Sequence, residues 1–195
     1  MTPLKEPVRR QLRAHLSHLY GNTADDCVER IERIVSDAAL PEPSAPAGLW
    51  NERDAVLITY GDQVRDDDGP PLRVLERFLS AYALRNLVST VHLLPFFPYS
   101  SDDGFSVIDY TAVAPDLGDW SDVAAIGESF DLMFDLVLNH CSSRHAWFQK
   151  FLRGEGRYAE YFITPPDDAD LSVVTRPRSG PLLTEVRTAT GPRKV

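Results

Sequence analysis

The residues best suited to chemistry lie in the apolar run Leu132–His140, which reads LMFDLVLNH. Asp135 interrupts this run, and burying an unpaired carboxylate is costly, so it needs a partner or a function. Asn139 and His140 close the run. Because strand side chains alternate, we expect Asp135, Val137 and Asn139 on one face and His140 just past the strand end. Polar groups at the carboxyl ends of parallel strands are where α/β proteins build binding sites.

Two interpretations of this stretch remain open from the residues alone. In the first, Asp135 is a hydrogen-bonded core residue and His140 is a loop residue, as is usual for isolated buried polar groups. In the second, Asp135, Asn139 and His140 together form one side of a ligand site.

The loop Pro95–Asp109, PFFPYSSDDGFSVID, is the second candidate. It combines aromatic residues with two prolines, an Asp pair and a glycine that permits close backbone approach. Carboxylates accept paired hydrogen bonds from neighbouring sugar hydroxyls, and an aromatic ring covers the apolar face of a pyranose. Carbohydrate sites need this mixture. By composition alone, however, the favoured interpretation is a solvated acidic turn with Phe96 and Phe97 packed in the core, because Asp and Gly are ordinary turn residues.

A parallel sheet is needed to position these residues. The β-branched and apolar runs Ala55–Tyr60, Val88–Leu94 and Leu132–His140 are predicted strands. Helical spacing predicts a helix over Leu72–Tyr82, and a shorter helix is predicted over Ser121–Glu128. The order β, α, β, α, β predicts an α/β fold with right-handed crossovers.

The ends of the chain have other patterns. Residues 1–40 are predicted to form a separate helical hairpin, because two apolar stripes at helical spacing flank a Gly-Asn break. Thr23 with Asp26 resembles a capping box at the start of the second helix. Residues 41–50 are a Pro-rich linker. Residues 165–195 are predicted to be mostly loop.

Composition excludes several functional classes. The net charge is 20 minus 29, or −9, without a basic run, which argues against nucleic acid or an anionic membrane as partner. No apolar stretch has the length of a membrane span. Cys27 and Cys141 have no CxxC spacing, which indicates free thiols in a reducing cytoplasm. The histidines and cysteines show no metal-ligand spacing, and no phosphate-loop or dinucleotide motif is present.

Several ordered motifs together resemble the α-amylase superfamily, glycoside hydrolase family 13. They are VHLLPFFPYSSDDGFSVIDY (Val91–Tyr110), GDW (Gly118–Trp120) and DLVLNH (Asp135–His140). LITY (Leu57–Tyr60) and TRPRSGPLLT (Thr175–Thr184) are similar to its sucrose phosphorylase branch. The helical N-terminal extension is more similar to the glucosylglycerate phosphorylase type.

The resemblance implies an architecture and a reaction. The architecture is the N-terminal part of a (β/α)₈ TIM barrel, about three strands, over residues 51–141, followed by the beginning of an inserted domain over residues 142–195. The reaction is glucosyl transfer with retention through a covalent glucosyl-enzyme, with inorganic phosphate as acceptor. The implied partners are a small α-glucoside and phosphate; neither a metal ion nor an organic cofactor is implied.

The resemblance also assigns roles to residues by motif. Asp102 and His140 would bind hydroxyls of the glucosyl unit, and Phe105 would be the hydrophobic platform. Asp135 and Asn139 would hold the framework of the site. The family places its nucleophilic Asp and acid/base Glu on later strands, so we expect no catalytic residue within this chain.

Three functions follow as alternatives. The first is the N-terminal portion of a retaining α-glucoside phosphorylase that uses sucrose or glucosylglycerate. The second is a hydrolase or transglucosidase of the same superfamily, and the third is an inactive remnant that at most binds sugar weakly. Because three strands of a barrel leave apolar edges uncovered, we expect the isolated chain to be inactive and to aggregate or be partly unfolded.

Overall fold

The computed structural model of the chain describes residues 4–38, 52, 54–175 and 180–195. The chain divides into two compact units, Met1–Leu49 and Trp50–Val195. The predicted linker over residues 41–50 lies outside the described residues. Within the described ranges, no helix combines the length and the apolar composition that a bilayer crossing requires.

The first unit contains two helices, α1 (Glu6–Tyr20) and α2 (Ala24–Asp37), joined by the 3₁₀ turn Gly21–Thr23. Both helices contribute side chains to a small apolar core, which contains Leu16, Ala24 and Val28. Ion pairs between the helices add to this core, with Arg9 Nε 3.0 Å from Glu32 Oε1. The predicted pair of helices is therefore present.

The predicted capping box at Thr23 is wrong. Its backbone has φ −91° and ψ 5°, and its side chain makes no cap hydrogen bond. An N-cap residue needs an extended backbone to turn its oxygen toward the first amides of the helix, and the preceding 3₁₀ turn prevents this. The Thr23 hydroxyl instead donates to the Tyr20 carbonyl at 2.9 Å.

A parallel sheet forms the centre of the second unit. Its strands are β1 (Val56–Thr59), β2 (Thr90–Leu93) and β3 (Asp131–Phe134), in that spatial order. Helix α3 (Pro71–Ala81) connects β1 to β2, and helix α4 (Trp120–Gly127) lies between β2 and β3. This arrangement confirms the predicted order of elements and the parallel sheet.

The two helices bury one continuous core against the sheet. In α3 the buried leucines recur at positions i, i+3 and i+7, which places them on one face. Side chains of β2 and α4 complete the core, whose most buried members are Leu72, Leu75, Leu79, Val91, Leu93, Phe96, Val123 and Ile126. The helical periodicity in the sequence therefore identifies the covered side of the sheet.

The GDW motif starts α4. Asp119 and Asp122 form a reciprocal capping box, in which Asp122 Oδ2 accepts from the Asp119 amide at 3.0 Å. Asp122 is 4% exposed, and its Oδ1 accepts from Arg73 Nε of α3 at 2.9 Å. Gly118 precedes the cap with φ +136°, and a Cβ there would lie 2.5 Å from Asp122 Oδ2. The motif is thus a helix start that also ties α4 to α3.

Strand β3 is shorter than predicted. Only residues 131–134 pair with β2, because β2 ends at Leu93 opposite Phe134 and the next residue but one is a proline. Residues 135–140 have no strand neighbour in the described part of the chain. Leu136 and Leu138 are accordingly 81% and 76% exposed. The predicted continuation of the strand to His140 is therefore wrong. Burial still alternates from Asp135 to Leu138, and the alternation ends at the exposed Asn139.

The region after β3 contains a helix, which the sequence predicts over His145–Arg153, and a strand pair that was not predicted. Helix α5 (Ala146–Leu152) is followed by the 3₁₀ segment Gly156–Glu160. An antiparallel hairpin, β4 (Glu185–Thr188) with β5 (Gly191–Lys194), then closes the described residues. The prediction that residues 165–195 are mostly loop missed this hairpin, because its strands are four residues long and carry charged side chains, which hides the strand pattern.

Candidate functional site

Asp135, the first residue after β3, has a specific partner. His92 Nε2 of β2 lies 3.0 Å from Asp135 Oδ2, and both side chains are half-buried. Because a carboxylate only accepts, the imidazole donates through Nε2. The pair joins two neighbouring strands at their carboxyl ends. His92 is thus the partner that a carboxylate in an apolar run needs.

Asn139 and His140 lie on the wall of a cavity of about 750 Å³. The same cavity is lined by aromatic side chains, which include Trp147 and Tyr161. Both Asn139 and His140 are exposed. The two polar side chains predicted at the end of the run are thus brought together beside aromatic rings, a combination that suits a sugar.

The Asp pair lies in a constrained turn. Asp102 and Asp103 both have positive φ, at 62° and 48°, within the 3₁₀ turn Asp102–Gly104. Gly104 follows with φ +99°, and a Cβ there would lie 2.6 Å from the Pro95 carbonyl oxygen. Non-glycine residues with positive φ are uncommon and gather at functional turns. The turn holds Asp102 on the surface and Phe105 half-buried beside it.

The structure does not place every predicted residue around one cavity. Asp102 and Phe105 do not line the large cavity beside His140. Asp103 lines a smaller cavity of about 250 Å³, together with Tyr60 and Arg65 at the carboxyl end of β1. The turn and the segment that contains His140 follow the neighbouring strands β2 and β3, respectively.

Two sets of hydrogen bonds join the loop Pro95–Tyr110 to the segment after β3. The Tyr110 hydroxyl donates to the Val137 carbonyl at 2.8 Å and approaches the His140 carbonyl at 3.2 Å. The buried Ser142 donates its amide to the Val107 carbonyl at 2.9 Å. The Ser142 hydroxyl lies 2.7 Å from that of Ser100. These contacts fix the loop relative to Asn139 and His140.

Tyr110 and His145 are the residues that the sequence prediction missed. The His145 ring is buried, lies 5.1 Å from the Tyr110 ring between centroids, and accepts from the Trp147 amide at 3.0 Å through Nδ1. Burial lowers the pKa of the His145 imidazole, and the Asp109 carboxylate partly opposes this shift. Burial also raises the pKa of Tyr110. Tyr110 is the last residue of the motif Val91–Tyr110, but the spacing of residues in that motif does not predict the hydrogen bonds of the Tyr110 hydroxyl.

A metal centre has no support from the geometry. Within the described ranges, no three His, Cys, Asp or Glu side chains converge in an arrangement that would hold an ion. The described residues of the site comprise the His92–Asp135 hydrogen bond, exposed amide and imidazole groups, a carboxylate turn and aromatic rings.

Comparison with known proteins gives the family. Residues 84–179 match the family described as alpha amylase, catalytic domain. The chain carries an alpha-amylase family domain. The matched residues include β2, the Asp pair, α4, β3 and the segment that contains Asn139 and His140, so the resemblance predicted from the motifs is confirmed.

Curated relatives of this domain include two glucosylglycerate phosphorylases. The protein from Allomeiothermus silvanus is 46% identical over 195 residues, which are 100% of this chain and 34% of the relative. The protein from Spirochaeta thermophila is 47% identical over 194 residues, 96% of this chain and 33% of the relative. The chain thus spans about a third of the length of the curated relatives it matches.

A solved structure of similar fold is sucrose 6F-phosphate phosphorylase from Thermoanaerobacter thermosaccharolyticum. It has a TM-score of 0.62 and 32% sequence identity, and the match covers 76% of this chain and 31% of that one. This likeness and the three parallel strands confirm the predicted fold class, the N-terminal part of a (β/α)₈ barrel. The predicted boundaries at residues 40, 50 and 141 stay predictions.

Proposed function

We propose that this chain supplies the N-terminal, glucosyl-binding part of a retaining α-glucoside phosphorylase that converts glucosylglycerate and phosphate to glucose 1-phosphate. The observation that carries the proposal is the 46% identity to a glucosylglycerate phosphorylase along the whole of this chain. Sucrose is the second donor to test, since the similar solved structure is a phosphorylase of a sucrose phosphate. The partners are then a small α-glucoside and inorganic phosphate.

Within this site, His140 and Asp102 bind hydroxyls of the glucosyl unit, and Phe105 is its hydrophobic platform. Asp135 and Asn139 hold the framework. The cavity wall of Asn139, His140 and Trp147 supports this assignment, because sugars bind where polar side chains meet aromatic rings. The left-handed turn at Asp102 supports it too, since strained turns gather at binding sites.

Neither Asp102 nor Asp135 is proposed as the nucleophile. The Asp135 carboxylate is engaged by His92, which lowers its availability for covalent attack. We therefore expect the 195-residue chain by itself to be inactive, with glucosyl transfer dependent on a nucleophile and an acid/base residue of the intact protein. The two free thiols support a reducing compartment such as the cytoplasm.

The test is phosphorolysis by the intact protein that carries this chain. Release of glucose 1-phosphate from glucosylglycerate or sucrose should depend on added phosphate. Glucose release that is independent of phosphate would instead indicate a hydrolase, and transfer to another sugar a transglucosidase. Absence of turnover with both donors would reject the phosphorylase.

A pair of histidine variants then tests the site. His140→Ala should lower kcat/KM by about tenfold, the loss that follows removal of one hydrogen bond to the donor sugar. His15→Ala is the matched control, because His15 is an exposed histidine of α1. Equal activity of the two variants would show that His140 does not belong to the site.

A further inference from the structure

The Tyr110 side chain spans the gap between the loop and the turn after β3. Its hydroxyl lies 2.8 Å from the Val137 carbonyl and 3.2 Å from the His140 carbonyl. One hydroxyl hydrogen serves both acceptors, with the shorter contact dominant. The two carbonyls belong to the Val137–Leu138 and His140–Cys141 peptides, so a single side chain holds both ends of the turn that contains Asn139.

The ring of Tyr110 is itself held in place. Its centroid lies 6.0 Å from Phe97, 5.1 Å from His145 and 6.0 Å from Trp147. Contacts with aromatic rings from the loop and from α5 restrict the position of the ring. The hydroxyl is therefore presented to the carbonyls by a packed side chain rather than by a mobile one.

The segment that receives these hydrogen bonds has little other support. Strand pairing ends at Phe134. Leu136 and Leu138 project into solvent. Val137 is the one apolar side chain of residues 136–140 that is buried. Because no strand ladder fixes this segment, hydrogen bonds from neighbouring elements hold the rest of the turn in shape.

We propose that Tyr110 is a positioning residue that holds the turn Val137–His140 in the shape that presents Asn139 and His140 to the glucosyl unit. This inference rests on the proposed function. It assigns to Tyr110 no contact with substrate. Its hydroxyl acts through the main chain, and its removal should alter how the donor binds rather than how phosphate binds.

The test compares Tyr110→Phe with Tyr158→Phe in the intact protein. Tyr158 is the matched control, because its hydroxyl contacts Lys150 at 3.4 Å in the 3₁₀ segment after α5. Tyr110→Phe should raise KM for glucosylglycerate about tenfold, the effect of one lost hydrogen bond, and leave KM for phosphate unchanged. A purely structural role would lower the active fraction and would not change either KM. Unchanged KM for the donor in Tyr110→Phe, or an equal rise in Tyr158→Phe, would overturn the inference.

A second measurement separates this inference from the proposed function. Amide hydrogen exchange across residues 136–142 should become faster in Tyr110→Phe and should not change in Tyr158→Phe, whatever reaction the protein catalyses. If the unsubstituted protein turns over neither donor, the proposed function fails and the exchange result alone decides whether Tyr110 holds the turn. Unchanged exchange in Tyr110→Phe would show that it does not.

Discussion

Two regions that adjoin the same sheet bury their apolar residues very differently. The packed layer, formed by α3, α4 and the loop residue Phe96, excludes its leucines and Phe96 from solvent almost completely. The carboxyl-end segment, residues 135–142, buries Val137 but leaves its two leucines, Leu136 and Leu138, mostly exposed. Apolar composition therefore predicts burial only where a second element covers the residues.

The two regions also differ in what defines their shape. In the packed layer, side chains at helical spacing interlock, and an ion pair between the half-exposed Arg73 and the buried Asp122 joins the helices. In the carboxyl-end segment, Asp135 pairs with His92, Val137 accepts from Tyr110, and Ser142 pairs with Ser100. Polar contacts from neighbouring elements therefore replace packing in the region that is proposed to bind the sugar.

The largest expected difference is between two apolar truncations. Phe96 is 1% exposed and contacts the rings of Phe97, Trp120 and Phe134. Phe96→Ala should destabilise the intact protein by about 3–5 kcal/mol, because it removes buried area and leaves a cavity. Leu138→Ala, in the exposed segment, should change stability by less than about 0.5 kcal/mol. Urea unfolding followed by tryptophan fluorescence measures both, and a comparable loss in Leu138→Ala would show that the segment is packed.

The next contrast is between two carboxylates, one in each region. Asp122 is buried, caps α4 and accepts from Arg73, so Asp122→Ala should cost about 2–3 kcal/mol. Asp135 is half-buried with His92 as its partner, so Asp135→Ala should cost about 1 kcal/mol. The effect on KM for the donor should be larger in Asp135→Ala than in Asp122→Ala, since only Asp135 belongs to the proposed site. A larger rise in KM for Asp122→Ala would contradict this division between stability and function.

Periodicity and order made the packed layer predictable. The leucines of α3 and the β, α, β, α, β sequence predicted the helices, the parallel sheet and its core, because these features depend on local spacing. The length of β3 was not predictable in the same way. Strand formation beyond Phe134 requires a hydrogen-bonded neighbour, and β2 ends at Leu93. The capping box at Thr23 failed for a related reason, since the conformation of the preceding turn decided it.

The candidate site was predictable in its residue types and less so in its arrangement. The sequence required a partner for Asp135 but did not identify His92 in that role, because the pairing depends on the register of two strands. The positions of Asp102 and His140 were predicted from motifs, and their roles stay predictions. Tyr110 and His145 were missed because their importance comes from contacts across 27 residues of chain or from a local cap, neither of which has a sequence period.

The smallest expected effect is on the pH dependence of stability, in which the N-caps of α4 and α5 should differ. Asp119 caps α4, and the hydrogen bond from Ser121 lowers the pKa of its carboxyl, so this cap persists under mildly acidic conditions. His145 caps α5 through an unprotonated Nδ1, and burial lowers the pKa of its imidazole. A folded-state pKa below the unfolded value of about 6.5 means that the unfolded chain takes up the proton first. The contribution of His145 to stability is therefore complete above about pH 6.5 and is lost as the pH falls through the lowered pKa.

His145→Asn keeps an acceptor that suits an N-cap and does not titrate. Between pH 7 and pH 5, unfolding free energies should fall by about 1 kcal/mol more in the unsubstituted protein than in His145→Asn, the usual contribution of one cap. Parallel decreases in both proteins would place the pH dependence elsewhere in the chain.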